Sequence, residues 1–127
     1  NTVILRIKEM KKKKVILGFK PLIHLDKIEY QGYKALLKFQ NISDVKEKEM
    51  LNYLKHEKNV VGVIKLIGSW DFEIEFEVES QTEMLELTRR VRDKFKEVIK
   101  EFEIVPLYHE YKYNFFPKSL IDFEKKA

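Results

Sequence analysis

The chain has 127 residues, 44% of them apolar and 13% aromatic, enough for one domain with a real core and a short appendage. Charged residues reach 36%, and there is no cysteine, so disulfides and thiolate metal sites are excluded and an intracellular, cytoplasmic protein is expected. No apolar run approaches the roughly 18 residues of a membrane span, no signal peptide is visible, and the first residue is not Met; a fragment of a longer chain is expected, with no membrane partner.

The net charge of +4 is unevenly placed. Residues 1–20 carry Arg6, Lys8, Lys11, Lys12, Lys13, Lys14 and Lys20 against one acid, Glu9, a surplus of six that leaves the other 107 residues at −2. A basic end joined to a near-neutral body points to a polyanion-binding segment attached to a domain with another task. A solvated basic helix without a partner is the other reading.

In chain order, TVILRIKEMKK (2–12) places Val3, Ile7 and Met10 at helical spacing. The lysines and VILGF that follow predict a basic turn and a short strand or two over 15–25, with Gly18 at the turn. Helix, basic turn and hairpin together form the back half of a winged helix. YKALLKFQNI (33–42) alternates and predicts a strand, with Lys34 and Lys38 facing away from Tyr33, Ala35, Leu37 and Phe39. Asp44 and Glu47 form a capping-box pair that opens a helix to about Lys58, buried along Met50, Leu51 and Leu54.

VVGVIKLI (60–67) predicts a second strand, GSWD (68–71) a tight connection, and FEIEFEVE (72–79) a third strand with phenylalanines on one face and glutamates on the other. Ser80 and Glu83 open a second long helix, predicted to about Lys100, with Met84, Leu87, Val91, Phe95 and Val98 as its apolar face. EIVPLYHEYKYNFF (103–116) predicts the last strand, where Pro106 calls for an edge or a bulge. The fold class is therefore α+β, a ferredoxin-like βαββαβ with a four-stranded antiparallel sheet in the order 4-1-3-2 and both helices on one face. Its domains are residues 1–21, the partial winged helix; 22–32, a linker; 33–117, the ferredoxin-like domain; and 118–127, a tail. The helix-free face carries Glu73, Glu75, Glu77 and Glu79 beside Lys34 and Lys38, with Lys65 as a further partner, and it calls for a second copy stacked across it.

TVILRIKEM, the lysine run, VILGFKPLI and IGSWDFEIEFEVES, in this order and spacing, resemble the Lrp/AsnC family of transcription regulators, and LYHEYKYNFFP is similar to the end of archaeal-type members. The resemblance reaches to about Pro117. It implies a DNA-binding regulator whose C-terminal domain dimerises, assembles further into tetramers or octamers, and senses a small-molecule effector such as an amino acid, without a cofactor. Thr2 and Arg6 match recognition-helix positions that face DNA, and Lys8, Lys12, Lys13 and Lys14 add phosphate contacts. Gly68 and Asp71 match the motif that shapes the effector pocket, with Ser69 and Trp70 at its variable positions.

The plainer readings stand beside these. GSWD is also a turn whose Asp71 bonds backbone amides, and Trp70 an interface anchor. His24, His56 and His109 lack metal-ligand spacing, and no catalytic residue is expected. The alternative is an enzyme on the same scaffold, as in siroheme decarboxylases, or a stand-alone ligand-binding module.

Overall fold

The structure is a computed structural model that describes residues 1–114. Its elements are α1 (Thr2–Lys12), a short 3-10 turn (Leu25–Ile28), β1 (Gln31–Phe39), α2 (Asp44–His56), β2 (Val60–Lys65), β3 (Phe72–Val78), α3 (Gln81–Lys94) and β4 (Ile99–Pro106). The sheet runs β2-β3-β1-β4 with every neighbour antiparallel, which is the ferredoxin-like order expected from the sequence.

Alternation on the strands decides what is buried. Ala35 and Leu37 of β1 and Phe72, Ile74, Phe76 and Val78 of β3 point to the helix side and are 2% exposed or less. Met50 and Leu54 from α2, and Leu87, Val91 and Phe95 from α3 and its end, close the core over them. Tyr33 stacks on Phe76 at 5.5 Å, and Phe39 meets Phe72 edge-on at 5.0 Å. These rings give the core its largest apolar areas and a defined geometry.

Both long helices are capped, one of them a residue away from the expected place. The Ser43 hydroxyl, not Asp44, accepts from the Lys46 N–H at 3.2 Å. The Glu47 side chain is thereby free to turn toward the sheet. At α3 the expected box forms: Ser80 Oγ accepts from the Glu83 N–H at 3.1 Å, and Glu83 reaches back to the Glu79 N–H at 3.0 Å.

Helix α3 stops at Lys94 rather than near Lys100, and the last strand spans Ile99–Pro106 rather than 103–116; residues 115 and 116 lie outside the described residues, as do the end of the predicted domain and the tail. The reason is an ambiguous period. Phe95, Val98, Ile99 and Phe102 stand at helical spacing on paper, yet Val98 and Ile99 both donate to Phe95 O in a tight turn. A register shift between Lys38 and Phe39 then absorbs one residue, so Ile99, Phe102 and Ile104 all reach the core side. Pro106 lies on the sheet edge. Because the Leu107 N–H points inward to Gly32 O, the Pro106 nitrogen faces outward, where its missing proton leaves the ladder intact.

The hairpin expected over 15–25 does not form. Residues 13–24 belong to no helix or strand, and among the described residues no backbone–backbone hydrogen bond involves residues 17–23. Gly18 does not take a positive φ, and Pro21 offers no N–H, so neither a turn nor a second rung is supplied.

The open face of the sheet is charged and partly self-compensated. Lys34 Nζ lies 2.7 Å from Glu73 and 3.3 Å from Glu75. The hydrogen bond to Glu73 raises the Lys34 pKa, against the opposing effect of its partial burial. Lys65 does not join this face. It stands opposite Phe72 on the helix side, and its Nζ reaches Glu47 of α2 at 2.6 Å.

Candidate functional site

Two places gather the residues singled out in the sequence. The first is α1 with its lysine run. None of its residues is buried, and Val3, Ile4 and Leu5 are exposed along with Thr2, Arg6, Lys8 and Lys12. Helical geometry, at roughly 100° per residue, sets Thr2 and Arg6 on one side and Lys8 and Lys12 on another. The helix ends with Lys14 at φ 57°, while the Lys14 N–H donates to Lys11 O and the Val15 N–H to Met10 O. This is a Schellman closure with lysine where glycine is usual. Lys13 pairs with Glu9 one turn back at 3.1 Å, and Lys11 Nζ lies 5.7 Å from the Phe19 ring centre. The basic residues thus surround a short, solvated helix instead of forming one flat patch.

The second place is the β2–β3 connection. Gly68 adopts φ 152°, a region that favours glycine, and a Cβ there would meet nothing within 4 Å; backbone conformation alone requires it. Asp71 ties the connection to β1. Its Oδ2 accepts from the Phe39 N–H at 2.7 Å, its own N–H donates to Leu37 O at 2.9 Å, and its carbonyl accepts from the Leu66 N–H at 2.8 Å. Asp71 is therefore a long-range staple rather than a local turn cap.

Asp71 also lines a hollow of about 310 Å³ with Asn41, Glu47, Lys65 and Phe39. Gly68, Ser69 and Trp70 do not line it; Ser69 is exposed and Trp70 half-buried, while Ile67 at the tip is fully exposed. Glu47, Lys65 and Asn41 were missed by sequence reasoning. The signal for Glu47 was masked by placing the cap at Asp44, and that for Lys65 by assigning it to the open face. The hydrogen bond to Glu47 raises the Lys65 pKa, so this hollow presents a firmly protonated amine beside two carboxyl groups. Such a set can receive a carboxylate and an ammonium on one molecule.

Among the described residues no three His, Asp or Glu side chains cluster as metal ligands, and no helix is long and apolar enough to cross a membrane.

The fold is shared with transcriptional regulators of the Lrp/AsnC type. An AsnC family transcriptional regulator from Agrobacterium tumefaciens superposes with a TM-score of 0.77 at 17% identity, over 91% of this chain and 76% of that one. AsnC of E. coli gives 0.75 at 16% identity, over 91% and 76%. A transcriptional regulator from Neisseria meningitidis, in complex with L-Met, gives 0.76 at 10% identity, over 95% and 79%. No family model and no curated protein sequence matches the chain.

Proposed function

We propose that this chain is the sensing domain and part of the DNA-binding arm of a transcriptional regulator of the Lrp/AsnC type, and that it works as a homodimer. The observation that carries this reading is the separation of charge and packing. A surplus of six positive charges sits on residues 1–20, whose helix shares no core with the sandwich. Such a segment serves a polyanion, and the solved structures that share this fold include transcriptional regulators.

The open sheet face, with Leu36 and Ile64 set among Lys34, Glu73 and Glu75, is the surface a second copy would cover. The effector is a zwitterion of amino-acid size, held by Lys65 and Asp71 in the hollow at the β2–β3 connection. The L-Met complex of the Neisseria meningitidis regulator supports that ligand class.

Fluorescence anisotropy with a labelled duplex over a salt series tests the arm. The logarithm of the binding constant should fall steeply with the logarithm of salt, and Lys12→Glu should lower that slope by about 1 to 2. A slope unchanged by Lys12→Glu and by Arg6→Ala would remove the arm from the DNA contact. A light-scattering mass of one chain would remove the dimer.

A further inference from the structure

The polypeptide entering β1 leans on the polypeptide leaving β4. Gln31 Nε2 donates to Leu107 O at 2.6 Å, and the Leu107 N–H donates to Gly32 O at 2.9 Å. Gly32 is buried here, and a Cβ on it would stand 3.1 Å from Leu107 Cδ1. The two segments bound a groove of about 420 Å³, larger than the hollow beside Asp71. That size falls within the range of small-molecule pockets, roughly 300–1,000 Å³.

The lining has a definite chemistry. Leu22, Ile23, Leu25 and Leu107 supply apolar wall, and three of them stay well exposed, with Leu22 at 74%, Ile23 at 54% and Leu107 at 43%. Among the described residues, Asp26 and Glu110 are its only carboxylates, His24 and His109 also line it, and no lysine or arginine does. The His109 ring packs edge-on against Tyr111 at 4.6 Å, which gives the exit segment a set shape. Tyr30, also in the lining, donates to Glu79 at 2.7 Å and fixes the inner end of the linker to the end of β3.

We propose that this groove binds an amine with an aromatic or branched hydrocarbon body. The apolar walls take the hydrocarbon out of water, and Asp26 or Glu110 receives the ammonium. Among the described residues a carboxylate would meet two acids and no lysine or arginine, so an amino acid is disfavoured where the corresponding amine is accepted. This site is distinct from the zwitterion hollow at Asp71, whose lining includes Lys65. Its location gives it a consequence. Leu22–Asp26 belong to the connection that carries α1, and Leu107–Glu110 to the exit from the sheet; an amine bridging them fixes the root of the basic arm.

The test uses the whole chain with 2-phenylethylamine as probe and L-phenylalanine as its zwitterionic control, read by thermal shift and calorimetry. The amine should bind saturably and raise the unfolding midpoint. Glu110→Gln or Asp26→Asn, both at exposed positions, should weaken it about tenfold through loss of a charge-assisted hydrogen bond. Lys65→Met, which alters only the other hollow, should leave amine binding unchanged. Equal binding of L-phenylalanine in the groove, or amine binding unaffected by both acid substitutions, would overturn the assignment. So would absence of saturation. Failure of amino acids at Asp71 leaves these outcomes readable, because they depend on different side chains.

Discussion

The arm and the sandwich are made from the same residue types, yet they are held by different physics. Leu5 on α1 is 65% exposed, whereas Leu54 on α2 is 0% exposed. In the sandwich, helix and strand are fixed by burial against each other, and local propensity is secondary. In the arm, helicity rests, among the described residues, on local terms: the Glu9–Lys13 pair and the Schellman closure at Lys14. An isolated helix of 11 residues is marginal in water, so the arm is ordered fully only when something else touches it. An amphipathic pattern therefore reports a helix that can be buried, and burial itself depends on the rest of the fold.

The sharpest way to break this contrast is a pair of truncations. Phe76→Ala should lower unfolding free energy by about 3–5 kcal/mol, while Leu5→Ala should move it by less than about 0.5 kcal/mol, both read by urea denaturation. A comparable loss from Leu5→Ala would show that the arm shares the core. Next in size is Asp71→Ala, which leaves the Phe39 N–H without its acceptor and should cost about 1–3 kcal/mol. If stability holds while ligand binding disappears, the staple role of Asp71 is refuted and the pocket role remains.

A smaller effect separates the regions from the other side. Lys14→Gly relieves a positive φ and should favour the arm helix by about 1 kcal/mol, seen as added helical circular dichroism with an unchanged global midpoint. A rise in the global midpoint would couple arm and sandwich. The smallest effect belongs to the open face. Lys34→Met should cost about 0.5 kcal/mol, in keeping with a pair still partly open to solvent. Because the folded state raises the Lys34 pKa, its contribution is complete below the ordinary lysine value and fades as pH climbs through the raised one. A double-mutant cycle with Glu73→Gln should therefore show coupling at pH 7 that shrinks as pH climbs past the ordinary lysine range.

The strands of the sandwich were legible because one-in, one-out alternation has few competing explanations. Phe72, Ile74, Phe76 and Val78 face the core as their spacing required, and the strand order followed from chain order and handedness. The boundary between α3 and β4 was not legible, since Phe95, Val98, Ile99 and Phe102 satisfy a helical period while serving a turn and a bulged strand. The wing failed for a different reason: apolar alternation at Val15, Leu17 and Phe19 supplies a strand's side chains but no partner for its backbone. At the candidate site, Asp71 was picked out from its motif, but Lys65 and Glu47 come together across 18 residues through a bulged edge strand and a cap moved by one. The groove at Leu107 depends on contacts 76 positions apart, which no local pattern announces.

Pro106 closes the last rung of β4 with its nitrogen turned to solvent. A foreign strand sliding in beside this border would find a donor absent where its carbonyl needs one. Lateral growth of the ladder, the route by which bare borders template fibres, is discouraged at that end. A second copy added in the plane of the sheet would meet that missing donor first.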